Sequence, residues 1–579
     1  MSRRRLIVSQ DVDTDVLVVG GGLAGAMAAI RARDFVDKVT LVEKSRVGAS
    51  GCSTFAAGIY NVCLPPDDDP DLWAREVIEC GVYMSDQVWT KLQAERGGGV
   101  AELLDRWGDE FGVRVFEKNA DGSFVRRQSR GHVHTRHLVV NSLPMMKVLR
   151  RQMHRRKVAL VERTMITDLV PDADGRIVGA VGFDYRSGEF YLFRAKTIVL
   201  AAGGCGFKAA FIGHKNLTGD LQAAAYRRGG VFTNMEQGGS NTCFRHCDIH
   251  GMNLFVNVGG KFVNGVGEEF MWAYNPKLGN RALLPELCLA FCREVKEGRG
   301  PIYLDATSAG PEDQDLCRKI LPETFRVFGR VGVDPFLQRL EWVPVWYGTI
   351  TTSGGLRIDI RCRTNLPGVY AVGDAAAQPV FGLGLGGVPL AFASVSGYLG
   401  GETAAREACG LGDVPLGQSV LERAEDLAQE SVAPLTRQRG VTADTLILAL
   451  QQILFPLEVC YIKEAGRLSA ALNQFDALKG QASEMRASDL HDLVKANEVR
   501  NMITLGELFL RASLFREESR GYHCREEFPA TDNEAWLKWV MLAQEGQAPK
   551  LWTEDVPTPL ARPEAKRAIP YGVRRDKWQ

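Results

Sequence analysis

Residues 14 to 44 read TDVLVVGGGLAGAMAAIRARDFVDKVTLVEK, and their punctuation decides the fold. Val16 to Val19 is an unbroken apolar run, as a strand buried inside a parallel sheet requires. Gly20-Gly21-Gly22-Leu23-Ala24-Gly25 then supplies G-x-G-x-x-G, an alanine-rich helical stretch follows, and a second strand, Val39 to Val42, ends at Glu43. Each part has a mechanical job. Gly20 permits a tight turn, Gly22 lets the backbone approach a pyrophosphate, and Gly25 lets the helix pack close to the strand. Unpaired N–H groups at the helix N-terminus face the phosphates. Glu43 lies about 20 residues on, where a carboxylate accepts ribose hydroxyls. Strand, turn, helix, strand and acid together predict a dinucleotide site in an α/β fold.

The chain has 579 residues, too many for one core, and its 45% hydrophobic and 24% charged content is that of a folded globular protein. Lys+Arg and Asp+Glu are 70 each, so no net field draws the chain to nucleic acid or to an anionic membrane. The basic start SRRRL runs into the polar QDVDTD and is not a signal peptide, and no apolar run reaches the roughly 20 residues needed to cross a bilayer. A cytoplasmic protein without a membrane span is expected. The 13 cysteines, an odd number, point to free thiols. The close pairs Cys243/Cys247 and Cys288/Cys292 lack C-x-x-C spacing, so no metal site is expected on the chain.

Two later segments specify the dinucleotide. TIVLAAGG, residues 197 to 204, is another buried strand ending in small residues, and TNLPGVYAVGDAAA, residues 364 to 377, is a strand ending in Gly373-Asp374. One fingerprint at the N-terminus and a Gly-Asp strand far downstream is the layout of FAD-binding folds. FAD is therefore expected, with Asp374 on the ribityl hydroxyls.

By these residues the chain resembles the flavoprotein family of succinate dehydrogenase, fumarate reductase, L-aspartate oxidase and adenylylsulfate reductase. LTGDLQAAAYRRGG (217–230) resembles the family's T-G-D-G helix, which implies that Asp220 approaches the adenosine side of FAD. GGKFVNGVGEEFM (259–271), REVKEGRGPIYLD (293–305) and FREESRGYHCREEFPATDNEAWLKWV (515–540) resemble three further family motifs. The implied architecture is a Rossmann-like FAD-binding domain of the glutathione-reductase type, formed by 1–231 and 353–412. An α+β capping domain, 232–352, is inserted into it. A helical domain spans 413–545, and 546–579 reads as an extended tail. Apolar spacing at Leu446, Leu450, Ile453, Leu457 and Ile462 fits amphipathic helices in the helical part.

The resemblance also implies the cofactor contacts. Gly20, Gly22, Leu23, Ala24 and Gly25 would hold the pyrophosphate, with Glu43 and Lys44 at the ribose end. Ser50, Gly51, Ser53, Ala57 and Gly58 would run along the flavin. Ala201, Gly203, Gly373, Gly387 and Leu390 complete the set. Some family members attach FAD to a histidine in S-H-T-x-x-A-x-G-G; here SGCSTFAAGI (50–59) places Gly51 at that position, so FAD is expected to be noncovalent.

The chain departs from the family where dicarboxylates bind. The family histidine of H-P-T falls at Asn241, the Thr-Glu pair at Met252-Asn253, the histidine before the downstream Gly-Gly at Ile350 or Thr351, and an arginine at Gly384. Of these positions only the cap arginine finds a match, at Arg281. Succinate and fumarate are therefore not expected as substrates. Trp342, Trp346 and Tyr347 suggest a larger, more apolar partner for the flavin. The stretch NMEQGGSNTCFRHCDIHG (234–251) reads as a rebuilt substrate wall, with Glu236 assigned to a structural or flavin-contacting role.

The expected reaction is hydride exchange between flavin and an organic substrate, with a cap side chain handling the proton. The catalytic candidates are Arg281, His246, Tyr347 and Asn241, with His250 a further donor. Two other readings stay open. The chain could pass electrons to a ferredoxin-like iron–sulfur partner, as the adenylylsulfate reductase resemblance implies, or serve as a noncatalytic flavin-binding scaffold.

Overall fold

The computed structural model describes every residue except 1–7, 57, 130–131, 212, 248–251, 351–353, 414–416, 547 and 576–579; the side chains of residues 252, 253, 320 and 323 also fall outside the description. The quoted N-terminal stretch forms strand β1 (Gln10–Val19), helix α1 (Leu23–Ala32) and strand β2 (Val39–Glu43). Helix α2 (Gln87–Asp109) and strand β3 (Phe190–Leu200) follow in the same body. β1 lies between β2 and β3 and is parallel to both, with Val16 opposite Val39 on one side and Thr197 on the other. The strand Ala159–Glu162 extends the sheet beyond β2, and Val369–Ala371 adds in parallel to β3. An antiparallel pair, Ile177–Asp184 and Thr164–Pro171, completes the seven-stranded sheet. Val16, Leu17 and Val18 are fully buried, as their unbroken apolar run requires.

A second body carries strand β4 (Ser240–Phe244), helix α3 (Leu284–Lys296) and strand β5 (Leu340–Trp346). β4 and β5 pair antiparallel, Asn241 opposite Val345, and the strands Tyr303–Asp305 and Lys261–Val263 continue the sheet. Phe255, Phe262, Phe270, Phe291 and Phe328 fill a separate core beneath it.

Helix α4 (Val388–Cys409) returns the chain to the first body and lies along α1. Methyl groups at Gly397 and Gly401 would sit 2.3 Å from the carbonyl oxygens of Ala24 and Ala28, so the two glycines set how closely these helices approach. Helix α5 (Leu490–Phe515) anchors the helical region, where Leu446 and Leu450 are fully buried. Ile462 instead lies in a short strand pairing Cys524. Among the described residues no helix is long and apolar enough to cross a membrane.

The C-terminal residues run over the protein's own surface. Ala548–Asp555 pairs antiparallel with Lys538–Glu545, and the Trp539 indole donates to Met84 O at 2.8 Å. Further on, Tyr571 donates to Cys80 O at 3.4 Å, and Arg574 reaches Glu268 at 2.9 Å and Glu294 at 3.4 Å on the second body.

Candidate functional site

The turn between β1 and α1 opens one end of a continuous channel of about 580 Å³. Gly20 has φ +112°, and a methyl there would lie 2.4 Å from Ala201 O, so only glycine fits. A methyl on Gly25 would strike Gly20 O at 1.9 Å; it keeps the helix against the strand and does not line the channel. Gly22 faces open space apart from Ser53 Oγ, which accepts the Leu23 N–H at 3.0 Å. The Glu43 carboxylate accepts the Gly21 N–H at 2.6 Å and is thereby held at the mouth of the turn.

Next to Glu43 lies a charge cluster. Lys44 donates to Asp220 at 2.8 Å, to Glu498 of α5 at 2.7 Å and to Thr218 at 2.9 Å. Burial opposes the charge of Lys44, but Asp220 and Glu498 outweigh it and hold its ammonium well above the usual lysine value. Burial likewise opposes ionisation of Asp220, and Lys44 overrides it, keeping the carboxylate below its usual range. Asp220 also accepts from Asn501 at 3.0 Å. The cluster joins the first body to α5 beside the glycine-turn end of the channel.

The described residues fit FAD. Gly20 to Gly22 would cradle a pyrophosphate, and the channel continues past Ser50, Gly51, Ala201, Gly203 and Gly373 to Asp374, Gly387 and Leu390. Ala24, Glu43, Lys44, Ser53 and Asp220 line it too, whereas Gly58 stands behind the wall and Ala57 lies outside the described residues. Gly51 has φ +77°, and nothing stands within 4 Å of the place a side chain would take.

Beyond the flavin stretch the channel ends among Phe211, His214, Asn241, Leu284, Tyr347, Gly384 and Tyr522. Phe211, His214 and Tyr347 form a ring cluster with centroids 4.7 to 5.0 Å apart. The Tyr347 and Tyr522 hydroxyls both donate to Ser240 O, at 3.0 and 3.3 Å. Burial, then the neighbouring Tyr347, pushes the Tyr522 phenol well above its usual value. The Asn241 side-chain oxygen accepts the Thr242 N–H at 2.8 Å, leaving the amide N–H₂ toward the channel wall. Gly384 packs against the N-terminus of α3; a methyl on it would come within 3.0 Å of Leu284 N.

Of the four catalytic candidates, Asn241 and Tyr347 meet at this end, and Arg281 and His246 do not. Arg281 is exposed on the short turn Gly279–Arg281, and from this segment the side chain facing the channel is Leu284, three residues later. The turn places Arg281 outside the cavity and delivers the first residue of α3 into it. His246 is exposed and stacks edge-on against Phe244 at 5.3 Å. His250 and Thr351 lie outside the described residues, as do the side chains of Met252 and Asn253. Ile350 is buried beside Phe211 and Tyr347.

The expected aromatic wall also needs correction. Trp342 is buried in the second body's core, its indole donating to Thr242 Oγ1 at 3.0 Å, and Trp346 stacks on Phe207 at 5.5 Å and meets Phe509 at 5.0 Å. Of the three, Tyr347 alone reaches the channel. Sequence reading missed Tyr522, although it occupies the variable position of the G-x-H motif. His214 and Phe211, three residues apart in an unpatterned loop, carried no signal.

Glu236 has a structural role. Its carboxylate pairs with Arg516 at 2.7 Å, both side chains fully buried, and its carbonyl accepts from Lys463 at 2.7 Å. Lys463 also bonds Ser513 Oγ at 2.9 Å and His523 Nδ1 at 3.1 Å. Burial depresses Lys463 to about 7 against the opposing pull of Glu236. All 13 cysteines are free, and among the described residues no group of histidine, cysteine or acidic side chains could hold a metal ion.

Comparison with known proteins agrees with this geometry. A family model described as FAD binding domain matches residues 15–387, and one described as fumarate reductase flavoprotein C-term matches residues 450–568. A fumarate reductase (CoM/CoB) subunit of Methanothermobacter marburgensis is 28% identical over 556 residues, covering 92% of this chain and 98% of that relative. A FrdA variant of E. coli quinol fumarate reductase superposes with a TM-score of 0.85 at 22% identity, covering 96% of this chain and 99% of the other. Adenylylsulfate reductase of Archaeoglobus fulgidus superposes at 0.78 and 22% identity, covering 95% and 96%. With its glycine turn, a channel lined by Glu43 and Asp374 and its match to both family models, this chain belongs to the FAD-binding family of succinate dehydrogenase and fumarate reductase flavoproteins, and is an FAD-dependent oxidoreductase.

Proposed function

We propose that the protein exchanges a hydride between noncovalently held FAD and an uncharged or weakly charged organic substrate that is neither succinate nor fumarate. The observation that carries this reading is that no arginine lines the channel among the described residues. A dicarboxylate would bring two negative charges into a partly buried site, and a buried charge without its partner costs several kcal/mol. The lysines along the channel are already engaged: Lys44 with Asp220 and Glu498, Lys208 with Glu498, and Lys495 with Asp444.

FAD, when bound, supplies the hydride-exchanging centre. The chain's own residues do the rest. Phe211, Leu284 and Tyr347 exclude water and pack an apolar substrate face, and Asn241 offers an amide N–H to a substrate oxygen. Tyr347 and Tyr522, whose hydroxyls rest on Ser240 O, stand at the same end as His214 and would donate a proton by turning from that carbonyl. In this reading residues 232–352 act as the cap. The methanogen relative is named as one subunit of its enzyme, which supports a second protein as electron donor or acceptor; an iron–sulfur protein is the form we favour.

The test is anaerobic titration of the flavin-loaded protein with candidate donors, and of the reduced protein with candidate acceptors, followed by the visible flavin absorbance. Bleaching of the oxidised flavin by a neutral saturated or alcohol donor, or return of colour to the reduced flavin with a neutral unsaturated acceptor, is expected, with neither effect from succinate or fumarate. Reduction by succinate or reoxidation by fumarate at enzymatic rates would overturn the reading.

A further inference from the structure

A second concavity lies apart from the flavin channel. α1, α2, the loop at residues 361–363 and α4 enclose about 1050 Å³ and share no lining residue with the channel. Its floor is apolar, formed by Val100, Leu103, Val395 and Leu399. Arg31, Arg96, Arg106, Arg361, Arg363 and Arg406 border it, against Glu402 and Glu407. In a chain whose charges balance, this is a concentrated positive field.

Both glutamates are already engaged. Glu402 accepts from Arg31 at 2.6 Å and from Arg406 at 2.9 Å, and Glu407 accepts from Arg176 at 2.9 Å and from the Tyr370 hydroxyl at 2.5 Å. Arg96, Arg106 and Arg361 are exposed, and among the described residues no carboxylate pairs with any of them. Three exposed arginines without a carboxylate partner thus border the groove.

The sequence of α2 adds an independent observation. It reads Gly97-Gly98-Gly99 in mid-helix, where each glycine costs about 1 kcal/mol against alanine. A methyl on Gly97 would meet Val62 at 3.1 Å and one on Gly98 would meet Cys63 O at 2.8 Å, so packing explains both. Gly99 is exposed, with nothing within 4 Å, and it lines the groove. Packing does not ask for glycine there; the consequence of its missing side chain is a deeper groove between Arg96 and Arg106.

We propose that this groove seats an acidic segment of a partner protein, carboxylates on the arginines and one or two aliphatic side chains on the floor. Arginine clusters recognise acidic motifs by bidentate hydrogen bonding, and the aliphatic floor selects a peptide over a free anion. The groove lies along the C-terminal parts of α1 and α4, whose N-terminal residues Ala24 and Leu390 line the channel, so the partner would sit close to the flavin body. The proposal does not depend on which substrate the channel takes.

The test uses the full-length, flavin-loaded protein and a fluorescein-labelled glutamate-rich peptide carrying two leucines, read by anisotropy. We expect saturable binding that weakens about tenfold or more as salt rises from about 50 to about 300 mM. Combined Arg96→Glu, Arg106→Glu and Arg361→Glu should weaken it by about tenfold or more. Gly99→Leu should do the same without altering charge, and as a better helix former on an exposed face it should leave folding and the flavin spectrum intact. Absence of saturable binding, unchanged affinity in Gly99→Leu, equal binding of a leucine-free oligoglutamate, or tighter binding of single-stranded DNA would each overturn the proposal.

Discussion

The hydroxyls of Tyr347 and Tyr522 converge on a single acceptor, the carbonyl oxygen of Ser240. One tyrosine follows β5 and the other sits in the C-terminal region, so the proton-bearing end of the channel is assembled from two bodies that meet across β4. Burial raises the Tyr522 phenol well above its usual value, so it stays protonated even in alkaline solution.

Removing either hydroxyl should therefore slow the proton-coupled step. Tyr347→Phe and Tyr522→Phe are each expected to lower the rate of substrate-dependent flavin reduction or reoxidation by about 100-fold or more, with FAD content unchanged. Stopped-flow absorbance checks this. A double variant no slower than the worse single one would show that the pair acts as a unit. Undiminished rates in both would move the proton to His214.

Gly51 offers no side chain to carry a flavin bond, and the proposed noncovalent FAD makes a direct prediction. Acid precipitation should release all the yellow colour into the supernatant, and a denaturing gel should show no flavin fluorescence. Gly51→Ala would put an L-residue at φ +77° and ψ 177°, a region essentially reserved for glycine, at about 1–3 kcal/mol. A measurable drop in Tm of the loaded protein is the expected readout.

The Glu236–Arg516 pair ties the start of the second body to the C-terminal region, with neither side chain exposed. Breaking it by Arg516→Met leaves Glu236 charged and dry. The expected loss is about 3–5 kcal/mol. Denaturant unfolding would show a lower midpoint at an unchanged slope, and a change below about 1 kcal/mol would contradict the account.

Lys463 should leave a signature in the pH dependence of stability. Its folded value of about 7 lies below the ordinary lysine value of about 10.4. Between these limits the unfolded chain binds more protons than the native one, so this group makes stability rise with pH, by up to about 1.4 kcal/mol per pH unit. Lys463→Met should abolish that contribution. Melting curves at about pH 7 and about pH 9 should shift in favour of the wild type at the higher value.

Much of the fold was legible because its signals are local. Val16 to Val19, the glycine turn and Glu43 lie within one βαβ unit and form the strand, turn, helix and strand that were read, with Gly25 packing the helix on the strand and not lining the channel as the resemblance implied. The substrate end was less legible because its residues come from distant segments. Position along the chain pointed to Arg281, yet a tight turn of three residues rotates it outward and presents Leu284. Trp342 and Trp346 alternate with side chains on the opposite face of β5, so adjacency to Tyr347 did not bring them to the channel. Tyr522 is contributed by a segment whose contact with Ser240 no spacing reveals.

The course of the last residues has a mechanical consequence. Tyr571 is fastened to Cys80 on the first body, and Arg574 to Glu268 and Glu294 on the second, like a hasp thrown across two halves of a box. Any swing of α3 away from the flavin body must first draw Arg574 off its carboxylates. A label attached at Val573 would thus register any such swing, although Leu284, the residue of α3 that lines the channel, is far from it in sequence.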